Sequence, residues 1–254
     1  MNLVFKILVY IYSFVSFFER KIFIKNIKKD DLVLDVGSGD KPFWRADVIV
    51  DKYLEDDQQR HSGAIVYDKR KLFVKADVEN LPFKDKVFDF VFCSHLLEHV
   101  ENPDKAIREL NRVAKRGYIE VPNGIVDLLK PFPPHLWYCD YKDGILTFMQ
   151  KEDRENFFIE NTKKFGKFIF DNPLFQYLVT KYQDKIFIRL YWKDRAKFQV
   201  IRTEKSYVYT ALEEKHGKNV SARFTFIFYK SLYSIMTYLF HKKKQILLKN
   251  LMKN

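Results

Sequence analysis

Two cysteines, Cys93 and Cys139, are all that the 254 residues contain. That excludes a disulfide framework and a cysteine-built zinc cluster, and it suits a reducing cytosol. A clean hydrophobic span is also missing. Leu3 to Phe18 is nearly all apolar or aromatic, but Lys6 interrupts it and it falls short of the roughly 20 residues a bilayer crossing needs. It has neither a positively charged start nor a small-residue cleavage site, so it does not read as a signal peptide. Packing on the domain is its expected role. Phe224 to Phe240 is broken by Lys230 and followed by His241, Lys242, Lys243 and Lys244. Such a segment can pack or lie in a membrane interface. The expectation is a cytoplasmic protein, with peripheral membrane contact through 224–244 left open.

What is present is a folding composition, 47% hydrophobic and 31% charged, on a chain that suits one domain with additions. Charge is unevenly placed. Residues 1–150 hold 23 Lys and Arg against 23 Asp and Glu, whereas residues 151–254 hold 22 against 10 and carry the whole net +12. A basic, aromatic C-terminal part favours anionic partners. A generally Lys- and Phe-rich composition explains the excess equally well.

Leu32 to Gly39 is the most informative run. Apolar, β-branched residues end in Asp35, Gly37 and Gly39, which reads as a buried strand stopping in a turn where backbone approaches a ligand. Further strands are expected at Asp47–Val50 (closed by Asp51), Leu72–Ala76 (ending at Asp77), Val87–Cys93 and Gly117–Val121. A helix over 103–116 follows from Asn102 as N-cap, Pro103 at the first position, Asp104 in the first turn, and Ala106, Ile107, Leu110, Val113 and Ala114 on one face. Gly117 is its expected stop. Strand–helix alternation points to a parallel sheet. Beyond Pro122 a proline-punctuated loop carries His135, Trp137, Tyr138 and Tyr141. Lys185–Trp192 and Phe198–Arg202 then suggest a hairpin about Lys193 to Arg195.

The glycine turn lacks the third glycine of the dinucleotide fingerprint, since Pro42 stands there, and no Gly-Lys-Ser/Thr follows. It therefore points to a nucleoside bound without the usual pyrophosphate geometry. Asp35 to Gly39, Asp51, Asp77-Val78, Leu81 to Phe83, Phe88 to His95, and Leu97 to Val100 arrive in an order that resembles class I S-adenosylmethionine-dependent methyltransferases, in particular the small-molecule type 11 branch. The resemblance covers about residues 30–122.

That resemblance implies a doubly wound, mostly parallel Rossmann-like α/β sheet with helices on both faces. An N-terminal helical segment (1–29) precedes the core (30–122), and a basic α+β extension (123–254) completes the same domain. It implies S-adenosylmethionine as cofactor, bound by Asp35, Val36, Gly37, Ser38, Gly39, Asp51, Asp77, Val78, Cys93 and Ser94. Asp51 would take the ribose hydroxyls, Asp77 and the Val78 amide the adenine. With only eleven residues between Gly39 and Asp51, the helix after the first strand must be short or absent.

Methyl transfer to a hydroxyl needs a base, and histidine suits it near neutral pH. His135 and His95 are the candidates. The expected acceptor is a small molecule or a glycan precursor, phosphorylated or lipid-linked, methylated at oxygen. RNA and a non-catalytic, partner-binding role are the alternatives. Three further patterns are set aside. His95-x-x-Glu98-His99 matches an inverted zinc peptidase signature, but it follows directly from a buried strand, so no metal is expected. Asp171 to Phe175 faintly resembles an amino-methylating motif in the wrong place and reads as a turn. Asn219-Val220-Ser221 is a sequon with nothing else to suggest secretion.

Overall fold

Two alternating sets of apolar residues decide how the core is layered. In the computed structural model, which describes residues 3–53, 66, 68–129, 131–152, 166, 168–169, 172–204, 220–240 and 246–253, six strands form the main sheet. They are β1 (Val33–Val36), β2 (Val48–Asp51), β3 (Leu72–Lys75), β4 (Phe88–Ser94), β5 (Ala114–Pro122) and β8 (Phe187–Lys193), in the order β3-β2-β1-β4-β5-β8. The first five run parallel, and β8 is antiparallel to β5. Successive side chains leave a strand on opposite faces. Leu34, Val36, Val48, Val50, Val91, Cys93, Ile119 and Val121 accordingly share one buried cluster with Ala106, Ile107, Leu110 and Val113 of α2 (Pro103–Val113). Val33, Ile49, Phe90, Phe92 and Tyr118 form the other. This is the expected Rossmann-like architecture.

No helix joins β1 to β2. The second face is filled instead by Phe43 of that connection, which is 1% exposed and stacks on Phe92 at 4.5 Å between centroids. Asp35 Oδ2 anchors the connection by accepting the Phe43 N–H at 2.7 Å, and Lys71 donates to the Phe43 and Trp44 carbonyls. Distant helices then cover it. Tyr229 of α6 (Val220–Phe240) donates its hydroxyl to the Pro42 carbonyl at 2.5 Å, and Trp44 Nε1 donates to the Ile22 carbonyl of α1 (Leu3–Ile22) at 3.3 Å.

Helix α2 starts where expected, but Asn102 donates from its backbone and its amide to Glu79 instead of capping with its side chain. It also ends three residues early. Ala114 pairs with Phe88, and Arg116 pairs with Phe90 on one side and Lys193 on the other. Tertiary pairing of this kind overrides helical spacing. Gly117 is thus a mid-strand residue, where a Cβ would come within 2.7 Å of Val91 and 2.9 Å of Trp192.

The hairpin expected over 185–202 does not form. At the turn, the Asp194 N–H donates to the Lys115 carbonyl at 2.8 Å, and Asn111 of α2 binds both backbone groups of Ala196. The chain is thereby diverted, and β9 (Phe198–Ile201) runs parallel to β7 (Ile145–Gln150), which also pairs with β6 (Trp137–Lys142), in a second sheet of order β6-β7-β9.

Nor is 123–141 a loop throughout. It contains α3 (Gly124–Leu129) and opens β6 (Trp137–Lys142), joined to β7 by Asp143 and Gly144 at φ 52° and 79°. Such a left-handed pair suits a tight hairpin. Asn172 caps α4 (Pro173–Lys181) through the Leu174 N–H, so 172–175 begin a helix rather than a simple turn. The short α5 (Gln183–Ile186) leads into β8, and α7 (Leu248–Leu251) closes the described chain.

No helix among the described residues is long and apolar enough to cross a membrane. On α6, Tyr229, Tyr233 and Thr237 are buried, whereas Ile227, Ile235, Tyr238, Leu239 and Phe240 face outward. Asp171, Asn219 and 241–244 lie outside the described residues.

Candidate active site

The carboxyl ends of β1, β2, β3 and β4 open onto one cavity of about 950 Å³. Gly37 and Gly39 line it in left-handed conformations, φ 73° and 53°. The Gly37 N–H donates to the Val50 carbonyl at 2.8 Å. Asp51 ties the turn to β2: its Oδ2 accepts the Gly39 N–H at 2.8 Å and its Oδ1 the Tyr53 N–H at 2.9 Å. A carboxylate oxygen can accept more than one hydrogen bond, so the same group can also serve a ligand. A Cβ on Gly37 would strike Leu96 at 2.8 Å, whereas one on Gly39 would meet nothing within 4 Å. Ser38 Oγ is buried with no hydrogen-bond partner among the described residues.

Asp35, Val36, Ser38, Asp77, Val78 and Ser94 also line the cavity. Asp77 Oδ2 is already paired with Lys52 at 2.7 Å, and its Oδ1 accepts the Glu79 N–H. Cys93 is the exception. It sits in the core on the α2 face, where burial pushes its thiol well above the ordinary range. Burial likewise raises Asp35 to about 6, against the Phe43 hydrogen bond and the charges of Lys21 and Lys71.

Across the cavity stand His95, His99, Phe132, His135 and Trp137. Tyr138 and Tyr141 are not among its walls. Residues 95–99 form a turn rather than a helix, with His95 at φ 55°, so the two histidines lack the helical spacing a peptidase signature presumes. His95 bridges two buried carboxylates, with Nδ1 at 3.2 Å from Glu98 and Nε2 at 3.2 Å from Glu120. Burial disfavours its charged form, yet these hydrogen bonds outweigh it and raise its pKa. Burial drives His99 down to about 4 despite the charge of Glu98. Glu98 itself is raised by burial, but the His95 hydrogen bond and the fields of His99, His95 and His135 hold it below the usual carboxylate range. His135 Nδ1 contacts Asp127 at 2.8 Å, and Lys151 sits 3.5 Å from the same carboxylate.

Several of these residues escape a reading of sequence. Lys21 comes from the last turn of α1, lines the cavity and donates to Ser94 Oγ at 2.8 Å. Ser94 in turn donates to Glu120, which also accepts from Tyr118. Asp127 and Lys151 belong to segments without a motif. Glu98 and His99 carried a signal, the His-x-x-Glu-His run, though in the wrong context.

Fold and site define a Rossmann-like α/β domain with one cavity at the carboxyl ends of its strands. Residues 49–119 match the family model described as a methyltransferase domain. A protein of Methanocaldococcus jannaschii is 45% identical over 65 residues, covering 25% of this chain and 31% of that one. A ubiquinone/menaquinone biosynthesis C-methyltransferase of Francisella tularensis is 28% identical over 148 residues, covering 52% and 58%. Among solved structures, a possible histamine N-methyltransferase of Thermotoga maritima aligns at 24% identity and a TM-score of 0.32, over 45% of this chain and 53% of that one. The chain spans less than two thirds of each of these proteins. Residues 49–119 are thus similar to a methyltransferase domain, consistent with the type 11 branch of the class I, S-adenosylmethionine-dependent enzymes.

Proposed function

We propose that the protein methylates an oxygen of a small molecule or of a glycan or lipid-linked precursor, using S-adenosylmethionine. The observation that carries this is the open cradle at Gly39 facing the imidazole–carboxylate wall within one cavity. The residues suit the cofactor: space beside Gly39, the unpartnered Ser38 hydroxyl, and the acids Asp51 and Asp77 at neighbouring strand ends. When bound, S-adenosylmethionine would supply a sulfonium methyl group open to in-line attack by the acceptor oxygen, an O–C bond forming as the C–S electron pair leaves with sulfur.

The chain's own residues then have two tasks. The first is alignment, which Gly37, Gly39 and Asp51 serve through a rigid hydrogen-bonded turn. The second is handling the acceptor's proton. Asp127 commits His135 Nδ1, so Nε2 is the nitrogen left for the acceptor. His95, held between Glu98 and Glu120, is the other histidine at this wall. The basic excess in residues 151–254 supports a phosphorylated or nucleotide-linked acceptor. The segments 1–29, 30–122 and 123–254 work as one unit in this reading, since Lys21 and His135 flank the same cavity.

Titration calorimetry with S-adenosylhomocysteine tests the cofactor half. Wild type is expected to bind and Asp51→Ala to bind at least about tenfold more weakly, the loss of a charge-assisted contact. No binding by wild type sinks the proposal. Acceptor screening by S-adenosylhomocysteine release tests the rest.

A further inference from the structure

Three donors meet on the cavity wall opposite the glycine turn. Glu98, His99 and His135 each offer one ligand atom, and these atoms lie within 4.8 Å of one another. His135 Nε2 is 3.9 Å from Glu98 Oε1. Donors around one tetrahedral ion bound at about 2.0–2.2 Å stand about 3.3–3.6 Å apart, so a side-chain movement of roughly 1 Å brings these three onto one ion. Glu98 is wholly buried, and its Oε2 has no hydrogen-bond partner among the described residues. A buried carboxylate oxygen left unpaired is costly unless something occupies it.

The surroundings orient both imidazoles for ligation. His99 Nδ1 faces the Pro134 carbonyl at 3.2 Å. A carbonyl only accepts, so Nδ1 holds the proton and Nε2 keeps its lone pair. His135 Nδ1 faces the Asp127 carboxylate at 2.8 Å, which leaves Nε2 in the same condition. A carboxylate or carbonyl behind each histidine is the arrangement that fixes metal-binding imidazoles. The Leu136 N–H donates to the Glu98 carbonyl at 2.8 Å and so ties the two segments together.

We propose that Glu98, His99 and His135 bind a divalent first-row transition ion, zinc or a close relative, with its open coordination positions facing the cavity. Two imidazoles and one carboxylate form a donor set that suits such ions and leaves room for an exchangeable ligand. That ligand is an oxygen of the acceptor, a hydroxyl or an adjacent pair of hydroxyls. A bound ion makes such a hydroxyl more acidic; with the ion in place His135 is its ligand, and the part of base that His135 plays without the ion passes to His95 at the same wall. The identity of the exchangeable ligand rests on the methyltransferase reading; the ion site does not.

The test uses the full chain without a histidine tag, stripped with a chelator and titrated with Co²⁺ under visible absorption. One saturable equivalent, displaced by Zn²⁺, is expected. His135→Asn and Glu98→Gln are each expected to weaken it by at least about a hundredfold, since each removes a ligand. Because Glu98 is buried, His135→Asn is the primary variant, and its fold is checked by circular dichroism and thermal melting against wild type. Absence of saturable Co²⁺ binding by wild type overturns the proposal, as does unaltered binding by His135→Asn. Failure of the cofactor reading shows separately, as loss of S-adenosylhomocysteine binding by wild type with Co²⁺ binding intact.

Discussion

His135 Nδ1 lies 2.8 Å from both carboxylate oxygens of Asp127, a pair brought together by α3 and the turn that follows it. The contact fixes which imidazole nitrogen faces the cavity, and with it the chemistry available on that wall. Asp127→Asn removes the charge while keeping the shape. Co²⁺ affinity is expected to fall about 10–100-fold, the usual effect of losing a partner behind a metal-bound histidine. S-adenosylhomocysteine affinity should stay unchanged. Equal Co²⁺ affinity in both proteins would mean that Asp127 does not position His135.

Gly39 combines a φ of 53° with open space on its Cβ side. Gly39→Ala is expected to cost about 1–2 kcal/mol of stability, from the left-handed backbone alone. The new methyl group also occupies the cradle, so S-adenosylhomocysteine affinity should fall at least about tenfold. Thermal melts and calorimetry on the same sample separate the effects. Unchanged affinity would place the ligand elsewhere in the cavity.

Asp35 is raised from 3.8 to about 6, with burial as the main cause. The folded state therefore binds this proton more tightly than the unfolded chain, and stability from this group falls as pH rises from about 4 to about 6. Asparagine can still accept the Phe43 N–H without a buried charge. Asp35→Asn should thus be more stable than wild type at pH 8, by up to about 3 kcal/mol, because a tenfold difference in proton affinity between the folded and unfolded chain is worth roughly 1.4 kcal/mol. The advantage should shrink as pH is lowered to 5. Urea titrations at both pH values check this, and a gap that widens on acidification would contradict it.

Gly117 leaves no room for a side chain between Val91 and Trp192. Gly117→Ala should destabilise the protein by about 1–3 kcal/mol through overpacking. Denaturant unfolding measures it directly. A neutral result would show that β4 and β8 can move apart at little cost.

Much of the core was readable because its signals are local. The five parallel strands stand within a few residues of where apolar runs and terminal acids place them, and the eleven residues between Gly39 and Asp51 rightly announced a connection whose helix is short or absent. Asp143-Gly144 was an equally local hairpin signal between β6 and β7. The extent of α2 was not readable in the same way. Ala114 and Arg116 suit either a helix or a strand, and their partners Phe88, Phe90 and Lys193 decided the matter. For the same reason β8 and β9 resembled a hairpin: each strand was correctly recognised, but pairing depends on what lies alongside, here β5 and β7.

The Leu32 to Gly39 run, read alone, determined where a strand would stop at the mouth of a cavity, because an apolar run and the glycines that end it are local features of the chain. Which side chains complete that pocket was decided by tertiary structure. Lys21 reaches Ser94 across 73 positions of sequence, and Glu98 meets His135 only because β4 and the segment after α3 converge on one cavity. Such meetings are products of chain topology and packing, and no local pattern of residues encodes them.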